Sequence, residues 1–283
     1  MQPLDYCREK TASSHSNFLS GFRFLPKEKQ DALTVLYAFC RELDDAVDGC
    51  SDPAVAQTAL QWWRGDLAAA YTEGQPEHPV NRALQPLAPA FGLPHGELDE
   101  IAQGMLMDVQ YNRYPDFAAL SLYCHRVAGV VGRLIARILG FSDPQTLLYA
   151  ERQGLALQLT NIIRDVGEDA LMGRIYLPQD ELRQYGVAES DILNRRPTEA
   201  FARLMEGQIR RARQTYREAR ALLPPADAKK QKAGLIMAAI YYALLLEIRR
   251  DGAENVLRYK TAIPAPRKKR IALKTWLLGF KPR

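Results

Sequence analysis

The sequence predicts an all-α protein built as a single domain. Apolar residues recur with helical periodicity along nearly the whole chain, and no convincing run alternates apolar and polar residues as a half-buried strand does. Proline and glycine fall mainly between these periodic runs, at Pro26, Gly49 with Pro53, the GQPEHP segment 74–79, Gly92–Pro94, Pro115, Pro144, Pro178 and Pro224–Pro225. The runs they delimit span roughly 15–25 residues, long for an average helix and ordinary for an all-α domain. There is no internal repeat, low-complexity tract or long linker. The 283 residues therefore read as one domain over 1–263 and a basic amphipathic tail over 264–283.

The elements follow in order from this punctuation. After Pro26 a helical run ends on LYAFCRELDDAVD, Leu36 to Asp48, and stops at Gly49. Ser51-Asp52-Pro53 supplies capping side chains and a first-turn proline for the next helix, and Ser142-Asp143-Pro144 does the same further on. Between them lies the run YCHRVAGVVGRLIARILG, in which Gly129 and Gly132 would either let helices approach closely or leave room for a ligand. The helix opened near Pro144 carries QLTNIIRDVGED, Gln158 to Asp169. The longest apolar stretch, Ala233 to Ile248, is short against the ~20 residues of a membrane span and contains two tyrosines, so it reads as a buried core helix.

Composition narrows the classes. A hydrophobic content of 47% and a charged content of 25% are those of a globular protein. The net charge of +5 is small for this length; it favours anionic ligands or lipid without indicating nucleic acid. Cys7, Cys40, Cys50 and Cys124 are scattered, with no CxxC and no paired histidines, which argues against zinc and for a reducing compartment. The N-terminal MQPLDYCREK carries charges where a secretory signal needs apolar residues, so a cytoplasmic location is expected. In the tail, RKKRIALKTWLLGFKPR surrounds Ile271, Leu273, Trp276, Leu277, Leu278 and Phe280 with basic residues. That pattern suits either a peripheral contact with the inner face of an anionic membrane or a terminal helix docked on the domain.

The chemistry is carried by two acidic stretches. Asp44 and Asp48 stand i, i+4, with Arg41 three residues earlier, and on a helix all three project to one side. Asp165 and Asp169 repeat the spacing, with Arg164 adjacent and Gln158 and Asn161 on the preceding turns. One such pair reads most simply as a solvated face or an ion-pair ladder. Two pairs, each ending an apolar helical run, are harder to dismiss, because like charges at i, i+4 destabilise a helix and need compensation. Mg²⁺ is the natural compensator, since it takes few protein carboxylates and completes its shell with water and phosphate oxygens. Facing across a bundle, the pairs could hold Mg²⁺ around a diphosphate that Arg41 and Arg164 further neutralise. Ionisation of an allylic diphosphate would follow, in a water-free apolar cavity. The 233–248 helix could wall that cavity, with Tyr241 offering a hydroxyl inside it.

FCRELDDAVD, YCHRVAGVVG and QLTNIIRDVGEDALMGRIYLPQDEL, in this order and at these separations, resemble the squalene/phytoene synthase family over about Tyr6 to Arg258. The resemblance implies the isoprenoid synthase helical bundle around a central apolar cavity and a head-to-head condensation of two prenyl diphosphates. It implies Asp44, Asp48, Asp165 and Asp169 as Mg²⁺ ligands, Arg41, Arg164 and Arg174 as diphosphate contacts, and Gln158 and Asn161 as polar lining. It matches Tyr123 to a tyrosine near the reacting carbons, and Tyr241 and Arg258 to a late tyrosine and arginine at the cavity mouth. SSHSNFLSGFRFLP resembles a serine-rich phosphate-contacting stretch but has Asn17 where many members have serine, which leaves Ser14 and Ser16 between phosphate contact and simple helix capping.

Within the family, CRELDDAVDGCSDP, WWRGDL, YPDF and GRIYLPQDEL resemble the bacterial members of hopanoid pathways that join two farnesyl diphosphates, stop at presqualene diphosphate and hand it to a next enzyme. The same first step could instead lead to squalene, dehydrosqualene or phytoene. A non-catalytic helical assembly factor is the remaining alternative, disfavoured because all four aspartates and their arginines are present.

Overall fold

The computed structural model describes residues 2–13, 25–49, 52–72 and 74–282. Among these the regular structure is helical, and the nearest approach to a sheet is one isolated parallel bridge between Arg113 and Ile175. The chain runs α1 (Pro3–Ser13), α2 (Lys27–Asp48), α3 (Pro53–Ala69), α4 (Pro79–Phe91) and α5 (His95–Gln110). Next, α6 (Phe117–Cys124) continues through one π turn, His125–Gly129, into α7 (Val130–Leu139). The long α8 (Gln145–Leu171) follows, then the short α9 (Gln179–Tyr185) and α10 (Glu189–Leu193), α11 (Glu199–Leu222), α12 (Lys232–Asp251) and α13 (Ala265–Leu278).

Local chemistry fixes the starts. Asp52 accepts from the Ala54 N–H at 2.8 Å with Pro53 in the first turn, as its sequence predicts. At the start of α8, Asp143 Oδ1 accepts from the Gln145 N–H at 2.9 Å. The N–H groups of Ser142 and Asp143 go elsewhere: both donate to the buried carboxylate of Asp227, at 2.7–2.9 Å, which also accepts from Thr146 Oγ1 at 2.8 Å. The head of α8 is thereby latched to the turn that precedes α12.

Two buried cores lie side by side. One gathers α2, α3, α4, α5 and α7 around Leu33, Phe39, Leu60, Leu98 and Ile138. The other gathers α8, α11 and α12 around Leu159, Ile163, Phe201, Tyr216 and Leu245. They meet where α7 and the π turn lie against α8. A Cβ on Gly132 would come within 2.4 Å of the Ala150 carbonyl oxygen, and one on Gly154 within 2.3 Å of that of Ala128. Close helix approach, rather than room for a ligand, is what Gly132 provides. The apolar run 233–248 lies in α12, with nine of its helix's residues buried from Ala233 to Ile248. No helix among the described residues is long and apolar enough to cross a membrane.

The tail forms α13, which packs along α12 by one face. Arg267 pairs with Glu247 at 2.6 Å, Phe280 sits buried edge-on to Tyr216 and Tyr242, and Arg220 donates to the Phe280 carbonyl at 3.0 Å. The tail is thus a terminal helix docked on the domain, and its outward face leaves Leu273, Leu277 and Leu278 exposed.

Candidate active site

Helical spacing on α2 and α8 turns both acidic stretches toward the seam between the cores. There they line one cavity of about 500 Å³, within the usual range for a small-molecule site. Arg41, Asp44, Asp48, Tyr123, Gln158, Asn161, Arg164, Asp165, Asp169 and Arg174 all contribute to its wall. Leu36, Ile101, Met105, Val127, Val131 and Ile162 make the apolar part of the same wall. The sequence placed these polar residues together by spacing and resemblance, and the fold brings them together.

Each acidic patch is partly compensated. Arg41 donates to Asp44 at 3.1 Å and to Asp45 at 2.7 Å. Asp45, next door in sequence, turns outward to Lys10 at 2.8 Å. Arg164 grips Asp165 with two hydrogen bonds, at 2.7 and 2.5 Å. Arg174 lies 3.6 Å from Asp48 and so spans the two sides of the cavity. Compensation is incomplete. Burial, opposed by Arg41 and helped by repulsion from Asp48, Asp45 and Asp108, pushes Asp44 up to about 6. Burial and the neighbouring Asp165 push Asp169 up to about 7. Asn161, one turn before Asp165, adds a buried Oδ1 with no hydrogen-bond partner among the described residues.

These features are those of a site short of positive charge. No group of three or more His, Cys, Asp or Glu among the described residues is close enough to hold a metal ion by itself. The donor set, two aspartates from each side with an orphaned amide oxygen beside one pair, instead fits Mg²⁺ ions that take one or two carboxylates each and complete their shells with water and phosphate.

Sequence reasoning missed two charged groups. Asp108, near the end of α5, accepts hydrogen bonds from Tyr123 at 2.8 Å and Tyr176 at 2.7 Å. Tyr176 stacks with both Tyr114 and Tyr123, which are tilted to one another, with ring centroids 5.3–5.7 Å apart. Burial raises Asp108, opposed by the two phenols, and burial beside Asp108 holds the Tyr123 phenol far above its ordinary range. The bridge between Arg113 and Ile175 builds this cluster by pinning the segment after α8 to the segment after α5. Lys260, in the segment after α12, reaches Asp165 at 3.2 Å and Glu168 at 2.6 Å.

The remaining expected residues divide. Tyr241 lies outside the cavity wall but hydrogen-bonds the Arg164 guanidinium. Arg258 is exposed, donates to Asn255 at 3.3 Å and takes no part in the wall; the basic residue that reaches the acidic pair from that segment is Lys260. Ser14 and Ser16 lie outside the described residues.

A helical bundle with paired aspartates facing an apolar-walled cavity defines a class, and the chain belongs to it by sequence as well: residues 11–269 match the squalene/phytoene synthase family. It is a prenyltransferase of that family, whose substrates are prenyl diphosphates joined head-to-head. Among particular relatives, it is 37% identical over 225 residues to a phytoene synthase of Arthrospira platensis, covering 75% of this chain and 72% of that one. It is 35% identical to the chloroplastic phytoene synthase 2 of Zea mays, covering 89% of this chain and 64% of the maize protein. In fold it is similar to a dehydrosqualene synthase solved with a ligand, at a TM-score of 0.84 and 26% identity over 98% of this chain and 97% of that one. It is likewise similar to squalene synthase HpnC from Alicyclobacillus acidocaldarius, at a TM-score of 0.77 and 30% identity over 88% and 94% of the two chains.

Proposed function

We propose that this protein condenses two farnesyl diphosphates head-to-head and releases presqualene diphosphate, in a squalene or hopanoid route where a further enzyme takes that product. The observation that carries the reading is the facing pair of acidic patches, each with its own arginine, over an apolar cavity. Asp44 and Asp48 on one side, and Asp165 and Asp169 on the other, would hold Mg²⁺. Bound there, the metal supplies charge neutralisation for the departing diphosphate.

The chain's own residues do the rest. Arg41, Arg164, Arg174 and Lys260 already stand on the acidic groups and can turn to phosphate oxygens as a diphosphate enters. Ionisation leaves an allylic cation at C1 of the donor. The C2–C3 double bond of the acceptor attacks it, and loss of one proton closes the cyclopropane, giving one presqualene diphosphate and one free diphosphate. The apolar wall keeps water from the cation. The stacked rings of Tyr123 and Tyr176 present π-density to it, turned by their hydroxyls' bonds to Asp108. Because Tyr123 donates to Asp108, a proton reaching its oxygen can be passed on to that carboxylate; the released diphosphate is the competing base.

A second reading has its own support: the curated relatives at 37% and 35% identity are phytoene synthases, which favours geranylgeranyl diphosphate and onward conversion. Incubation with either diphosphate and Mg²⁺, with and without NADPH, distinguishes them. Presqualene diphosphate accumulating from farnesyl diphosphate even with NADPH is the expected result. Squalene, or phytoene formed faster from the longer substrate, would overturn it. Asp44→Ala or Asp165→Ala should abolish turnover with the helical fold intact, and near-normal rates would remove the metal assignment. A helical assembly factor without activity would show neither product.

A further inference from the structure

The outward face of α13 is a feature that the reaction does not use, and it lies level with an exposed leucine at the head of α8. Leu273, Leu277 and Leu278 are 63%, 70% and 72% exposed, and Leu148, in the first turns of α8, is 53% exposed. The apolar residues are not a loose end folded out by accident. Phe280, beyond them, is buried between Tyr216 and Tyr242, so both flanks of the exposed segment are held to the body. Lys269, Arg270, Lys274 and Lys281 are exposed around them on the tail, and Lys229 and Lys230 at the turn before α12.

Register shows which end of the molecule this is. Gly234 of α12 lies against Tyr149 and Gln153 of α8, and Gly167 of α8 against Val256 and Leu257 after α12, so α12 runs parallel to α8. Arg267 meets Glu247 and Lys232 lies over Trp276, so α13 runs back antiparallel to α12. The exposed leucines at the end of α13 therefore sit level with the first turns of α8. Asp165 and Asp169 lie near its last turns, roughly 25–30 Å beyond Leu148 at about 1.5 Å per residue. The charged side of the active site and the apolar, lysine-rimmed patch are at opposite ends of the bundle.

We infer that this end of the protein is a docking surface for an anionic lipid bilayer. The leucines enter the headgroup–acyl boundary, the lysines and arginines meet anionic headgroups, and the acidic patches that a negative surface would repel are held away from it. A second copy of the same face would bring two basic rims together, and among bilayers only an anionic one meets both features.

The test uses the full chain without substrate, so that it stands or falls separately from the reaction. Co-sedimentation is measured with vesicles of phosphatidylcholine alone and of phosphatidylcholine mixed with phosphatidylglycerol, at low and high salt. Binding to the anionic vesicles, weakened by salt, is expected. It should fall by about tenfold or more in a variant carrying Leu273→Ser, Leu277→Ser and Leu278→Ser, and similarly in one carrying Lys269→Glu and Lys274→Glu. Both variants should keep the parent's melting temperature and its turnover of detergent-free substrate. Equal binding to neutral vesicles, no vesicle binding, or binding untouched by the two variants would overturn the inference. So would a concentration-dependent dimer abolished by the leucine variant, which would assign the face to a second copy of the chain.

Discussion

At the residue scale the site turns on carboxylates that differ in how they are satisfied. Asp165 is gripped twice by Arg164, whereas Asp108 has two phenols as its direct hydrogen-bond partners. A carboxylate holding Tyr123 and Tyr176 by their hydroxyls sets the tilt of both rings without reaching the reacting carbons itself. Asp108→Asn keeps the shape but puts an amide where both phenols need an acceptor. It is expected to lower kcat by about 10²-fold while KM for the prenyl diphosphate changes little. Tyr176→Phe should cost less, and should cost almost nothing further once Asp108→Asn is present, because both act through the same contact. Equal losses from Tyr176→Phe in either background, or a KM effect alone, would show that the cluster is only packing. The four aspartates of the cavity wall were legible because i, i+4 spacing is visible in the chain. Asp108 was not, since its partners lie 15 and 68 residues away and are delivered by the Arg113–Ile175 bridge. Lys260 was missed for the same reason, and Asp45, adjacent to Asp44, faces outward to Lys10.

At the scale of elements, the two halves of the bundle are pressed together by glycine. Gly154 would place a Cβ 2.3 Å from the Ala128 oxygen and 2.7 Å from its carbon, both backbone atoms that cannot swing aside. Gly154→Ala therefore has to force α8 away from the π turn. Overpacking of this kind costs about 1–3 kcal/mol, enough to outweigh the ~1 kcal/mol that alanine gains over glycine in a helix. Gly65 in α3 is the control, since its Cβ would meet nothing within 4 Å. Gly65→Ala should raise the urea midpoint and Gly154→Ala should lower it; movement in the same direction would refute the close-packing account. The sequence carried the helices, the cap at Asp52, a turn at Asp143 before α8, and the buried character of α12, because each depends on neighbours within a turn or two. It did not disclose the π turn at His125–Gly129, because an unbroken apolar run reads the same whether or not one residue is added to a turn. Nor did it show the latch of α8 on Asp227, whose partners are more than 80 residues distant.

For the molecule as a whole, the buried acidic groups predict how stability depends on pH and on bound cations. Asp44 and Asp169 bind their protons more tightly in the fold than in the unfolded chain, at about 6 and about 7 against 3.8. Their contribution to stability is therefore complete below the unfolded value and is lost as pH rises through about 6 and then about 7. Asp227 works the other way: burial would raise it, but hydrogen bonds from Asp143, Thr146 and Ser142 hold it at about 2, so its contribution is lost only as pH falls toward that value. Between pH 5 and 8 only the first effect operates among these three, and the metal-free protein is expected to lose melting temperature across that interval. On the proposed reading, Mg²⁺ with inorganic diphosphate would bind the deprotonated carboxylates and so compete with protons for them. The ligand pair should raise the melting temperature strongly at pH 8 and much less at pH 5.5, where both aspartates must first give up protons. Asp169→Asn removes one of the two groups, and should flatten the upper half of the metal-free pH profile while shrinking the response to Mg²⁺ and diphosphate. Thermal melts across this pH range decide the matter. A metal-free melting temperature that climbs toward pH 8, or a ligand response equal at both pH values, would mean that these carboxylates are neither strained by burial nor the groups that meet the cation.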